Sequence, residues 1–174
     1  SSGFLLDSCV YREGYMDDIP RSPGTYCLLY QLHELTSIQV GRLGRFEFQP
    51  GLYFYVGSAK GSGGLKARIT RHLRQSHKKK FWHIDYFRDI AEPIAYFYSL
   101  QMNKECEWVQ NLIKLGEIII PVNNFGASDC RNHCGAHLLM TDKTKLAHIH
   151  EQLVTAKFDI TEFVWIINNH LKVR

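Results

Sequence analysis

Two tyrosines stand beside glycines in short apolar runs, Gly24-Thr25-Tyr26 and Tyr55-Val56-Gly57. Alone, each is an ordinary strand fragment. Further along, Arg68 and His72 lie four residues apart in Leu65–Ser76, whose period is helical. On a wheel of about 100° per residue, Leu65, Ile69 and Leu73 form the buried stripe. Arg68 and His72 then share one edge of it, where core meets solvent. In the next helical segment, Asn103–Leu115, the apolar face is Trp108, Val109, Leu112, Ile113 and Leu115. Glu105 falls near the centre of that face, where a carboxylate is costly unless it is paired or metal-bound. A guanidinium can offset charge on a phosphate, an imidazole or phenol can move a proton, and a carboxylate can hold a divalent cation. The structural alternatives are a snorkelling arginine, a surface histidine and a buried salt bridge to Glu105.

The charge pattern points to a polyanion. The net charge is only +4, but no acidic residue occurs between Glu47 and Asp85. That stretch carries Lys60, Lys66, Arg68, Arg71, Arg74, Lys78, Lys79 and Lys80. Such a block suits a nucleic-acid backbone, because each neutralised phosphate releases a condensed counterion.

With 174 residues, 45% hydrophobic and 22% charged, the chain fits one ordinary globular domain. It has no apolar run of membrane-spanning length and no secretory segment at its start, so the expected compartment is the cytoplasm and no membrane partner is expected. The odd count of five cysteines does not suit a disulfide framework. Cys9, Cys27 and Cys106 are isolated and read as small packing residues. The Cys130-x3-Cys134-x2-His137 cluster is too compressed for a usual zinc site, so a polar loop is expected and zinc is not.

These groups need a scaffold. Residues 1–22 read as an irregular lead-in ending at Pro20 and Pro23. Strands are expected at Gly24–Leu32, Thr36–Leu43 and Leu52–Val56, as an antiparallel meander. A helix over Leu65–Ser76 follows, then a shorter one over Phe81–Arg88, in which His83 and Asp85 fix the helix against the sheet. Ile94–Leu100, headed by Pro93, reads as an edge or late strand. Asn103 is placed to cap the next helix and Gly116 to end it. A strand near Ala136–Met140 precedes two expected helices, Asp142–Thr155 and Asp159–Leu171, the second opened by an Asp159/Glu162 capping box. The fold class is α+β, a small, mainly antiparallel sheet flanked by helices: a core domain over 23–140 and a helical extension over 141–174 packed on it.

The motifs, in this order and on these elements, resemble the GIY-YIG nuclease superfamily. YVGSA, LKARITRHLR, WHIDYF, the Glu105-Cys106 pair and FGASDC are more closely similar to a microbial branch found alone or fused to endonuclease III-like DNA glycosylases. The resemblance covers about Gly24 to Met140. It implies a metal-dependent endonuclease on DNA, with RNA open, plausibly in repair alongside a partner enzyme. It also implies that Tyr26 and Tyr55 line the catalytic face, that Arg68 stabilises charge on the phosphate, and that Glu105 is the sole protein ligand of Mg²⁺ or Mn²⁺. Tyr55 or His72 would deprotonate the attacking water. Two departures stand out. A segment of about Thr36–Phe48 separates the two tyrosines, and Ser58 occupies the place of a lysine that would activate the tyrosine in DNA-repair relatives. Lys60 is close by but would point differently. Ser58, Ser128 and Asp129 are candidate auxiliary residues, and His83 a candidate phosphate contact. The competing readings are a catalytically weak nucleic-acid-binding module and a structural metal-binding protein centred on Cys130 and Cys134.

Overall fold

The computed structural model describes residues 10–13, 18–74, 79–127, 130, 132, 134–155 and 157–166. Its strands are β1 (Val10–Glu13), β2 (Gly24–Leu32), β3 (Thr36–Val40), β4 (Gly44–Phe48), β5 (Gly51–Ala59), β6 (Glu92–Ser99), β7 (Leu138–Thr141) and β8 (Glu162–Trp165). Its α-helices are α1 (Gly64–Leu73), α2 (His83–Arg88), α3 (Glu105–Lys114) and α4 (Leu146–Leu153). The central sheet has the order β1-β8-β6-β2-β5-β7. It is antiparallel except where β1 pairs parallel with β8 at one edge. The α+β class holds.

The long strands β2 and β5 are buried on both faces. One face carries Tyr26, Leu28, Tyr30, Tyr53 and Tyr55 against Leu65, Ile69 and Leu73 of α1 and Ile84 and Phe87 of α2. The other carries Cys27, Leu29, Phe54 and Val56 against Trp108, Val109 and Leu112 of α3 and Ile149 and Leu153 of α4. Alternation along a strand therefore sorts the tyrosines onto one side and residues without a hydroxyl onto the other.

Several expectations are corrected. The middle strand of the meander leaves the sheet: β3 and β4 pair only with each other. Their alternate half-buried and exposed positions, with Ser37, Gln39, Arg45 and Glu47 pointing out, suit a surface hairpin and not a strand covered on both faces. The lead-in contains β1. Strand β6 is interior, because β8 docks outside it in the register Ala95↔Trp165 to Tyr98↔Glu162. Pro93 is accommodated at its beginning, ahead of the β8 pairing.

The second C-terminal helix is instead β8. Asp159 has φ 49°, outside the extended region in which a capping aspartate ordinarily sits. The β-branched and aromatic run around Phe163–Trp165 outweighs the apparent capping box. Glu162 is buried and accepts a hydrogen bond from the Tyr98 hydroxyl. Since β8 completes the sheet, residue 140 is no boundary. Ser76, Leu171 and Cys9 lie outside the described residues. No helix among the described residues is long and apolar enough to cross a membrane.

Candidate functional site

Beyond one end of the β2–β5 pair opens a cleft of about 730 Å³, lined among others by Tyr26, Tyr55, Arg68 and Glu105. Residues from two strands and two helices thus converge on one space.

The register explains the glycine beside the second tyrosine. Tyr26 lies opposite Gly57, and a Cβ at Gly57 would sit 2.5 Å from the Tyr26 ring. Only a residue without a side chain lets that ring lie across the neighbouring strand. Tyr55 is met by the loop at Gly126, which has φ 69° and whose added Cβ would approach the ring to 3.0 Å.

The two phenols are nearly inaccessible in area, yet both border the cleft. Burial, followed by the proximity of Tyr55, raises Tyr26 well above the ordinary tyrosine range. Burial pushes Tyr55 up to about 12. Both are therefore neutral at neutral pH.

His72 is not at a core–solvent edge but 2% exposed, and it does not border the cleft. Its Nε2 is 2.7 Å from the Tyr26 hydroxyl. The rings of Tyr26, Tyr55 and Trp82 surround it at centroid distances of 5.5, 5.6 and 5.7 Å. It reaches the cleft through Tyr26.

Arg68 and Arg71, three residues apart on α1, have different partners. Both stack on the Trp82 ring, at 4.6 and 4.0 Å from its centroid. Arg68 faces the cleft and has no carboxylate partner among the described residues. Arg71 forms a two-pronged pair with Asp85, at 2.7 and 2.9 Å, and so is not a free phosphate contact. Asp85, 1% exposed, also accepts from the Phe81 and Trp82 N–H groups. Burial alone would raise its carboxyl, but these bonds and the Arg71 charge hold it at about 2. Asp85 therefore ties α2 to α1, where a tie to the sheet was expected.

His83 accepts from the Gly126 N–H at 3.0 Å through Nδ1, and it lines the cleft. In the neutral ring this leaves Nε2–H as a donor. Lys60, expected to point elsewhere, borders the same cleft, as does Ser58.

Glu105 is half-buried at the first turn of α3, whose buried face is Trp108, Val109 and Leu112. The wheel overstates its burial because the helix starts there and its first turn projects past the sheet. Asn103 is not the cap: it has φ 60°, and Lys104 occupies the cap position. The Lys104 N–H donates instead to Thr25 Oγ1 at 3.3 Å, and that hydroxyl donates to the Gln101 carbonyl at 2.8 Å. One threonine beside Tyr26 so holds the start of α3 to β2.

Of the expected basic surface, Lys66 is half-buried, and Arg74 and Lys79 are exposed. Lys80 pairs with Asp89 at 3.0 Å. Lys78, Ser128 and Asp129 lie outside the described residues. Sequence reasoning did not single out Phe81, which is 67% exposed, lines the cleft and has the Lys79 Nζ 5.0 Å from its ring. An exposed ring beside lysines was legible in the Lys-Lys-Lys-Phe-Trp run.

The other omission is Cys106. It is no packing residue: its Sγ lies 3.3 Å from Cys130 Sγ, 2.6 Å from Cys134 Sγ and 4.0 Å from His137 Nε2. These four ligand atoms all fall within 4.8 Å of one another. Three of the residues, Cys106, Cys130 and His137, border the same cleft.

The sequence profile of a family described as a domain of unknown function, DUF123, matches residues 25–158. The chain belongs to that family. No curated protein and no solved structure gives a significant match. The DUF123 match spans every element that lines the cleft, from Tyr26 to His137, and ends before β8.

Proposed function

We propose that this DUF123 protein is a GIY-YIG-type nuclease that hydrolyses phosphodiester bonds in nucleic acid, with DNA as the favoured substrate. One observation carries the reading: two phenols, a guanidinium with no carboxylate partner among the described residues, and a carboxylate border one cleft, with an imidazole hydrogen-bonded behind one phenol. The basic residues around its mouth and the exposed Phe81 ring suit a charged backbone and an unstacked base.

Water attacks phosphorus in line, and its proton must leave. A phenol held above its ordinary range does not ionise by itself near neutrality, so the geometry favours Tyr26 backed by His72. The phenol proton passes to His72 Nε2 as the phenolate oxygen takes the proton of water. This replaces direct action by His72, which the Tyr26 ring separates from the cleft, and makes Tyr55 the secondary candidate. Arg68, free of carboxylate partners among the described residues, offsets the charge that grows on the phosphate.

Glu105 suits a hard cation that keeps most of its waters, since it is a half-buried carboxylate on an open cleft, the only carboxylate there among the described residues, with Asn103 nearby. Mg²⁺ or Mn²⁺ held there would neutralise phosphate charge and assist the leaving oxygen. The sulfur cluster next to it does not suit such an ion.

The deciding experiment is nicking of supercoiled and branched DNA, and of RNA, with Mg²⁺ or Mn²⁺. The expected result is cleavage by the native chain. Glu105→Gln should lower its rate by on the order of 10³-fold or more, the upper end for loss of one preorganised electrostatic group, with binding retained. Binding without cleavage of any nucleic acid would instead make the protein a docking module.

A further inference from the structure

The sulfur side of the cleft has no part in the chemistry above, yet it is the densest group of metal-ligating atoms among the described residues. We infer that Cys106, Cys130, Cys134 and His137 hold one zinc ion in a closed tetrahedral site, which clips the loop before β7 onto the first turn of α3.

Four geometric facts support this. A tetrahedral zinc with Zn–S near 2.3 Å sets its ligand sulfurs about 3.8 Å apart. The Cys106–Cys130 and Cys130–Cys134 separations are 3.3 and 3.4 Å, and Cys106 Sγ stands 4.0 Å from His137 Nε2. Rotations of the side chains about such a centre reach that spacing, and the Cys106–Cys134 pair, at 2.6 Å, has to open the furthest. The Cys134 Sγ–His137 Nε2 distance of 3.1 Å puts the imidazole in the same cage. The space fits one ion and is too small for an iron–sulfur cluster between the sulfurs. Four protein ligands also leave no open position, so the site is structural and not a second hydrolytic centre. Thiolates select zinc over magnesium.

The backbone gives the site a purpose. Between Lys114 and Leu138 the described residues form no helix and no strand, only a single bridge between Ile119 and Met140. A stretch that long is uncommon in a compact domain unless something ties it down. Three of its hydrogen bonds are directed at the cluster: Asn124 N–H to the Gly135 carbonyl, His137 N–H to the Phe125 carbonyl, and Val56 N–H to the His137 carbonyl. They place His137 beside β5 with Cys134 in reach, while Cys106 comes from α3. An ion here joins two segments that are distant in sequence, the first turn of α3 and the loop before β7, and closing a long loop is where such a clip contributes most. The ligand pattern is split, with Cys106 far upstream of the compressed Cys130–His137 group, which is why spacing alone argues against zinc. The inference stands apart from the nuclease reading, since it concerns metal content and not cleavage.

The test is elemental analysis of the full-length chain purified without chelator, followed by replacement with Co²⁺. About one zinc per chain is expected, with intense thiolate-to-cobalt and tetrahedral d–d absorption on exchange. Cys130→Ser and His137→Ala should weaken zinc binding by about 100-fold or more, beyond what loss of an outer partner of a metal ligand costs. Cys27→Ser, in the apolar core of the opposite sheet face, should keep the full content. Because the wild-type measurement needs no variant, a misfolded mutant does not blunt the result. A chain that carries no zinc and gives no cobalt spectrum with its thiols reduced overturns the inference. So does a Cys106–Cys134 disulfide trapped by rapid alkylation of metal-free protein, or iron bound as a cluster.

Discussion

The two walls of the cleft are held together by different means. On the α1–α2 wall, the buried Asp85 carboxylate takes two bonds from Arg71 and two from backbone N–H groups, and Trp82 carries two guanidinium groups on its ring. That wall neutralises its own buried carboxylate. On the wall formed by the start of α3 and the loop at 122–137, three thiols and an imidazole crowd together. Burial, with the neighbouring thiols, drives Cys134 far above the ordinary thiol range, and burial lowers His137. A cation reverses the cost of gathering those thiols, because a coordinated thiol loses its proton. Glu105 and Cys106 are adjacent in sequence, yet one offers a hard oxygen and the other a soft sulfur, which lets neighbouring positions hold different ions.

The largest expected effect comes from breaking the self-sufficient wall. Arg71→Ala leaves the Asp85 carboxylate buried without its cation, which costs roughly 3–5 kcal/mol when one partner of a buried pair is removed. Denaturant unfolding of the zinc-loaded chain measures it, and the zinc content should not change. The same pair sets the acid response. Asp85 sits at about 2 when folded, below the ordinary aspartate value of about 3.9. The unfolded chain therefore takes up this proton first as pH falls. The contribution is complete above about pH 4 and is lost towards pH 2. A wild-type stability curve flat through that window would mean the pair contributes little.

Next in size is Arg68→Ala, one turn from Arg71 on the same wall. Loss of a preorganised charge at the phosphate is expected to cost about 10²–10³-fold in cleavage. Stability should move little, because no carboxylate among the described residues depends on Arg68. Kinetics and unfolding on both variants separate the two arginines. If Arg68→Ala instead destabilises the chain as Arg71→Ala does, the two share a structural role and the assignment at the phosphate fails.

Much of the α1–α2 wall was legible in the sequence, because periodicity reports what lies on one helix. The stripe of Leu65, Ile69 and Leu73 was readable in this way. The pairing of Arg71 with Asp85 was not, since it joins two helices through a turn of unknown path. The second wall was less legible still. Cys106 looked isolated because its partners lie across the chain, and Glu105 looked buried because a wheel has no ends. At the C-terminus a local capping pattern competed with strand propensity in Phe163–Trp165, and the unpaired edge of β6 decided for the strand. Ser58 drew attention as a missing lysine, whereas the group hydrogen-bonded to a signature phenol is His72, on Tyr26.

The smallest expected effect concerns the phenol and imidazole between the walls. If His72 takes the proton that Tyr26 gives up, then His72→Gln keeps a side chain that can bond the hydroxyl but accepts no proton from it. The expected loss is about 10²-fold, the low end for a removed general base, because Tyr55 still borders the same space. DNA binding and zinc content should stay as they were in His72→Gln. Tyr26→Phe should lose at least as much rate, since it cuts the same 2.7 Å contact. If Tyr26→Phe cleaves normally and Tyr55→Phe does not, the proton leaves through Tyr55, and His72 serves only to pack three aromatic rings.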